Sequence, residues 1–432
     1  MRIYEYGKDD MEILFESLRK RAPEGLKDVE EKVSEILRAV KERGDQAVFE
    51  YTLELDGVKM SARDLEASAE EMEKALSGLD GELREAIERS AANIRAFHER
   101  QRENSWFMTR EDGIILGQKV TPLGRVGIYV PSGTAPLPST VLMGVIPAKV
   151  AGVGEIILCS PPRDNGKVDP VILACAKIAG ADRVFAVGGA QAIAAMAYGT
   201  QTIPRVDKIA GPGNIFVQAA KKQVYGICGI DMIAGPSEVL VIADESANPG
   251  YVAADLLSQA EHDELASAIL VTTSKALAGA VQKEIEAQAE RLGRNRIIKK
   301  SLDAYGAIVM VPTLKDAAEI SNRVAPEHME ILTADPFALL PEIRNAGAIF
   351  LGEYSPEPLG DYFAGPNHIL PTVGTARFFS PLGVYDFIKR SSIISYTREA
   401  FGSAARYAAA FADAERLQAH AGSIRIRCGN TP

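Results

Sequence analysis

From Val120 onward the chain alternates short β-rich runs that end in glycine or proline with helical stretches, and it does so in two successive blocks. The first block holds VGIYVPSG (126–133), EIILCSPP (155–162) and RVFAVGGAQ (183–191), with helical patterns at 169–179 and 190–198. The second holds VLVIAD (239–244), AILVTTS (268–274), AIVMVP (307–312), EILTA (330–334) and AIFLG (348–352). Strand alternating with helix is the pattern of βαβ units, which close into parallel sheets with helices on both faces. The expected fold class is therefore α/β, with two incomplete Rossmann-like doubly wound domains at 109–236 and 237–380 that face each other across a cleft. A helical amino-terminal region (1–108) precedes them, in which Val29, Val33, Ile36 and Leu37 recur at helical spacing before a break at Gly44. A small carboxyl-terminal tail (381–432) follows, read as an Ala-rich helix from Glu399 to Ala421 stopped by Gly422, then an alternating segment Ile424–Arg427.

With 432 residues and 47% hydrophobic side chains the chain has ample material for several buried cores. Its formal net charge of -10 argues against a nucleic-acid partner, and the basic pairs Lys221-Lys222 and Lys299-Lys300 read as solvated surface. Cys159, Cys175, Cys228 and Cys428 are far apart, which suits a reducing cytosol and suggests neither a thiolate metal site nor a disulfide framework. The amino terminus is charged and has no apolar signal core. Two uncharged stretches, Val126–Ala148 and Val184–Pro204, are interrupted by proline, glycine and glutamine, so they read as buried strand and loop and no membrane partner is expected.

Standard phosphate-binding patterns are missing: there is no G-x-G-x-x-G, no Walker loop, no H-E-x-x-H and no G-x-S-x-G. Glycine-rich turns follow strands at 187–191 and 211–214; either a tight βα turn or a close approach to ligand explains them. Asn248 and Pro249 open a helix in which Gln259 lies three residues before His262, on one face. By themselves these two read as a packing amide and a surface imidazole. Glu327 and His328 are adjacent after a proline, and both residue types can carry protons near neutral pH. Asp361 and His368 sit in a Gly/Pro-rich loop after a strand, where α/β proteins usually build sites. Glu415 and His420, five residues apart, can project side by side only if the tail helix breaks between them. His98, in the charged run FHERQREN, reads as plain surface.

These segments and their neighbours closely resemble the histidinol dehydrogenase family, which catalyses the last two steps of histidine biosynthesis. The resemblance runs through GDQAVFEYT (44–52), GRVGIYVPSG (124–133), VGGAQAIAAMAYGT (187–200), KIAGPGNIFV (208–217), IAGPSEVLVIADESANP (233–249), LLSQAEHD (256–263), RVAPEHMEI (323–331), GDYFAGPNHILPT (360–372) and TARFFSPLGVYDFIKRSSI (375–393). It implies one zinc ion per subunit held by Gln259, His262, Asp361 and His420, and an acid–base pair made by Glu327 and His328. It also implies contacts to the substrate, L-histidinol, from Ser237, His368 and Glu415 beside the metal ligands and His328, with Glu357 a further candidate. NAD contacts would come from Tyr129, Gln191 and Asn214. The expected assembly is a cytoplasmic homodimer in which Glu415 and His420 complete the neighbouring subunit's site. The implied reaction is two successive NAD-dependent hydride transfers through L-histidinaldehyde. Two alternatives stay open at this point: a paralogous dehydrogenase of another small alcohol, such as a sulfonated diol, and a zinc hydrolase. A two-lobed binding protein is a weaker third.

Overall fold

The computed structural model of the chain describes residues 1–21, 26–132 and 136–429. Gly133, at the end of the first expected strand run, and residues 22–25 and 430–432 of the expected helical region and tail lie outside them. The chain divides into two compact units, Met1–Gln101 with Leu123–Phe387, and Arg102–Pro122 with Ile388–Pro432.

Strand β1 (Arg2–Glu5) opens the chain, and helices occupy most of the stretch to Glu99. Strands β2 (Trp106–Thr109) and β3 (Ile114–Pro122) come next and belong to the smaller unit. The larger unit resumes with β4 (Arg125–Tyr129), β5 (Glu155–Ser160), β6 (Arg183–Ala186), β7 (Lys208–Ala210) and β8 (Gly229–Ile230), an all-parallel sheet in the order β6-β5-β4-β7-β8. A second parallel sheet contains β9 (Glu238–Ala243), β10 (Ser267–Thr272), β11 (Ala307–Met310), β12 (His328–Leu332) and β13 (Ala348–Leu351), in the order β1-β11-β10-β9-β12-β13. Every residue of β9 and β10 is buried, as expected of strands covered on both faces. Period-two alternation divides their side chains between two cores: Val239 and Val241 pack on one face of the sheet, Leu240 and Ile242 on the other.

Both sheets therefore turn at equivalent places. In each, the chain runs outward from a central strand, then returns to its other side: β4 is flanked by β5 and β7, β9 by β10 and β12. These are the switch points at which doubly wound sheets open a crevice.

Several expectations change. The amino-terminal region is not wholly helical, because Arg2–Glu5 pairs with Ala307–Met310 at the edge of the second sheet. The stretch Val126–Ala148 holds most of a helix, Pro138–Ala151, with Pro147 inside it, where strand and loop were expected. Among the described residues no helix is long and apolar enough to cross a membrane.

In the smaller unit β14 (Ile388–Tyr396) pairs antiparallel with β3, which also pairs with β2. The tail helix is two helices, Arg398–Ala414 and Gln418–Arg425. Arg416 adopts a left-handed φ of 61° and Leu417 N donates back to Ala412 O at 2.9 Å, a closure that ends the first helix well before Gly422. Gly422 lies inside the second helix, and Ile424–Arg427 forms its last turn and a short 3-10 turn.

Candidate active site

The first sheet opens a cleft of about 610 Å³ at the carboxyl ends of its strands. Tyr129 ends β4, Gln191 lies in the first turn of the helix after β6, and Asn214 caps the helix after β7; all three line the cleft. The Tyr129 hydroxyl accepts a hydrogen bond from Gly189 N at 3.1 Å, and burial pushes its pKa up to about 12, so it stays a neutral phenol. Gln191 is 1% exposed, and its Oε1 has no partner among the described residues. Asn214 Oδ1 accepts from Phe216 N and Val217 N, both at 3.1 Å, which leaves its amide nitrogen free to donate.

The turn before Asn214 is locked by Lys221, which was expected on the solvated surface, and Asp231. Lys221 is 0% exposed and ion-pairs with buried Asp231. Lys221 Nζ donates to Gly211 O at 2.9 Å while Gly211 N donates to Asp231 Oδ2 at 2.8 Å. Gly211 has φ 120°, and a Cβ there would meet Tyr129 O at 2.1 Å, so only glycine fits. The lysine faces inward because the helix that carries it turns that side toward the β7 end, where only a paired charge is tolerated.

The second sheet contributes from the opposite edge. Glu327 and His328 stand at the amino end of β12, Ser237 and Glu238 at the amino end of β9, and the helix Pro249–Ala260 brings Gln259 back to the same edge. Asp361 and His368 were expected to define a carboxyl-end site; the loop after β13 instead runs back toward the amino edge, where Asp361 Oδ1 is 3.7 Å from His328 Nε2. His262 and Arg294 line the cleft from this side, so it spans both lobes.

Local structure aims the pair. Ala325, ahead of a proline that forbids further helix, takes a left-handed φ of 53° and ends the helix Leu314–Val324. Glu327 and Glu238 then clasp each other: Glu238 N donates to Glu327 Oε2 at 2.9 Å and Glu327 N to Glu238 Oε2 at 3.3 Å. Arg21, buried and ion-paired with Glu238, sets a positive charge behind them. His328 Nδ1 lies 3.0 Å from the Glu238 carbonyl, which can only accept, so Nδ1 carries a proton and Nε2 is the nitrogen left for chemistry. Nε2 has no hydrogen-bond partner among the described residues.

Burial pushes Glu327 up to about 7 against the pull of His328 and Arg21. Burial alone would lower His328, but Glu327, Asp361 and Glu357 outweigh it and raise it to about 9. Burial and Asp361 raise Glu357 to about 8, so it is a neutral acid at pH 7. Asp361 is held low: burial opposes this, and His328 and His368 overcome it. Such closely spaced groups titrate as one cluster.

His328, Glu357 and Asp361 offer ligand atoms within 4.8 Å of one another, the one such His/Cys/Asp/Glu group among the described residues. Gln259 is 1% exposed and its Oε1 has no partner among the described residues. A buried acceptor without a donor is costly unless a cation satisfies it. Carboxylate, imidazole and amide oxygen together suit a borderline divalent ion such as zinc. Glu415 and His420 are exposed on the smaller unit, one capping the helix Arg398–Ala414 and the other in the helix Gln418–Arg425.

His98 is 0% exposed, contrary to its expected surface place. Its Nδ1 bonds Gln101 Oε1 at 2.8 Å and its Nε2 meets Asn367 Nδ2 at 3.5 Å. Asn367 Nδ2 also donates to Met143 O at 2.7 Å. That carbonyl is free because Pro147, four residues on, has no N–H to offer it. The helix proline thus anchors the loop that carries His368, whose Nδ1 lies 3.1 Å from Asp361 O. Residue patterns also missed Glu238, Glu330 and Asp255. Glu330 is 1% exposed in the middle of β12 and accepts from Glu357 N at 2.9 Å, and burial together with the neighbouring Asp255 carboxylate holds its pKa well above the usual range. The available signal was a carboxylate within each apolar strand run, EVLVIA and HMEIL.

Two parallel sheets that present opposite edges to one cleft, with acids and imidazoles buried beside it, define a two-lobed α/β enzyme. The family model described as histidinol dehydrogenase matches residues 19–428. The chain is 56% identical to the histidinol dehydrogenase of Aquifex aeolicus over 429 residues, covering 99% of each, and 50% identical to that of Caldanaerobacter subterraneus over 430 residues, covering 100% of each. The crystal structure of histidinol dehydrogenase from Elizabethkingia anophelis superposes with a TM-score of 0.93 at 36% identity, over 99% of this chain and 98% of that one. The chain belongs to the histidinol dehydrogenase family.

Proposed function

We propose that the chain oxidises L-histidinol to L-histidine through L-histidinaldehyde, using NAD and a zinc ion. The observation that carries this reading is its full-length kinship, at 50–56% identity, with enzymes of that name. Turning a primary alcohol into a carboxylate takes two hydride removals and one added water. When bound, NAD+ accepts the hydride, one molecule for each oxidation, at the cleft lined by Tyr129, Gln191 and Asn214. Gln259, His262, Asp361 and His420 would hold zinc, which when bound would serve more as a template for the substrate than as a Lewis acid, and its positive charge would counter the pull of Asp361 on His328.

The chain's own groups move the protons. His328, with Nδ1 committed to the Glu238 carbonyl, takes the alcohol proton at Nε2. Glu327, poised near neutrality, activates the water that adds to the aldehyde. The resulting hydrate then loses its second hydride, with His328 again the base. Ser237, His368 and Glu415 orient the substrate, and Glu357 joins them as a neutral acid beside His328.

Glu415 and His420 belong to the smaller unit, and we read them as completing the site of a second copy in a homodimer. Exposed apolar side chains on that unit support this, among them Ile394, Tyr407, Phe411 and Ile426, each at least 60% exposed. The unpaired cysteines suit a cytoplasmic place of action. The test is the NADH formed per histidinol consumed, with and without a chelator. A ratio near two, lost on chelation and restored by zinc, is expected; a ratio of one, or indifference to chelation, would count against it. A sulfonated diol consumed faster than histidinol would favour the paralogous reading.

A further inference from the structure

The cleft in the first lobe lacks the feature by which doubly wound sheets usually hold a ribose. That feature is a carboxylate at the end of the second strand, about 20 residues beyond the first turn. Here β5 ends on Ser160 and is followed by Pro161 and Pro162, which both line the cleft. Among the described residues one carboxylate lines the cleft, and it comes from outside the sheet. Asp56 is the last residue of the helix Asp45–Asp56, and Gly57, with φ 70°, turns the chain away behind it. The one hydrogen bond its side chain accepts among the described residues is from Gln191 Nε2, at 3.4 Å. That contact is long, so a desolvated carboxylate keeps acceptor capacity for a better donor. Lys32, one of two cations in the lining with Arg294 among the described residues, lies 3.9 Å from Glu54, which reduces its claim on an added anion.

We infer that Asp56 is the ribose-recognition residue of this cleft: its carboxylate accepts from the 2′- and 3′-hydroxyls of a dinucleotide's adenosine ribose and excludes a 2′-phosphate. The enzyme is thereby selective for NAD+ over NADP+. The inference rests on the reading of the cleft as a dinucleotide site. The reacting end of the dinucleotide belongs beside His328 on the second lobe, and Asp56 approaches from helices packed on the first, so the ribose it meets is the distal one. A diol offers two donors to one carboxylate, whereas a 2′-phosphate removes one donor and sets like charges together.

Calorimetric titration of the purified full chain with NAD+, NADP+, ADP-ribose and 2′-deoxy-ADP-ribose tests this without relying on turnover. Wild-type protein is expected to bind NAD+ at least about tenfold more tightly than NADP+, and ADP-ribose at least about tenfold more tightly than its 2′-deoxy analogue. In D56N and D56S the NAD+ affinity falls by a similar factor and the gap to NADP+ closes. Variants that bind NAD+ as wild type does, with the preference intact, overturn the inference while leaving the dinucleotide reading standing. Wild-type protein that binds no dinucleotide overturns both. If neither variant folds, the two ADP-ribose ligands decide on wild-type protein alone: equal affinities overturn the proposal.

Discussion

At the residue scale the site works because groups that would ordinarily ionise apart are buried together. Burial raises Glu327 to about 7 against the pull of His328, while Glu327, Asp361 and Glu357 together outweigh burial and raise His328 to about 9. Glu327→Gln should keep zinc yet stall after the first oxidation, with aldehyde-level product and one NADH per histidinol in a single-turnover assay; histidine made at the wild-type rate would falsify the water-activating role. His328→Asn should lose activity by at least about a hundredfold while zinc content, measured by atomic absorption, stays near one per chain. Loss of zinc in that variant would make His328 a ligand, as its grouping with Glu357 and Asp361 also allows. Asp56 gives a pH prediction of known sign. Burial raises it from 3.8 to about 6, so its contribution to folding is most favourable below 3.8 and is lost as pH rises through 6. The melting temperature of apo D56N relative to wild type should therefore increase between pH 4 and pH 7.

At the element scale the turns that face the cleft are held by buried polar clasps. Lys221→Met leaves Asp231 buried without its cation and should cost about 3–5 kcal/mol in chemical denaturation. Asn367→Ala frees both Met143 O and the His98 ring, and should cost about 1–3 kcal/mol while raising KM for histidinol more than it lowers kcat. Much of this scale was legible beforehand. The runs at 155–162, 239–244 and 268–274 became β5, β9 and β10 because unbroken apolar sequence suits a strand covered on both faces. The Asn248-Pro249 start of a helix also held, since capping is a matter of adjacent atoms. The break at Arg416 was not legible, because a left-handed arginine has no local signature comparable to glycine's.

At the scale of the whole molecule, one sheet's carboxyl edge and another's amino edge meet at a single cleft. The tail residues Glu415 and His420 provide the corresponding test. Protein carrying His420→Ala, mixed with protein carrying Glu327→Gln and allowed to exchange subunits, should regain up to about a quarter of wild-type activity if the tail is shared between copies. Mixtures no more active than their components would place both residues within one chain's own site.

The sequence by itself determined the α/β class, the positions of β4–β6 and β9–β13, the adjacent Glu327-His328 pair and, through its resemblance, the family. Those depend on periodicity, capping and the order of long motifs, which are properties of neighbours along the chain. Tertiary structure alone decided that Lys221 and His98 are interior, that the second lobe faces the cleft with its amino edge, and that Asp56 enters a cleft built by other elements. Burial, charge partners and shifted pKa values arise between residues up to hundreds of positions apart. An isolated lysine, histidine or aspartate looks the same on either side of a protein surface until the fold has placed its partner.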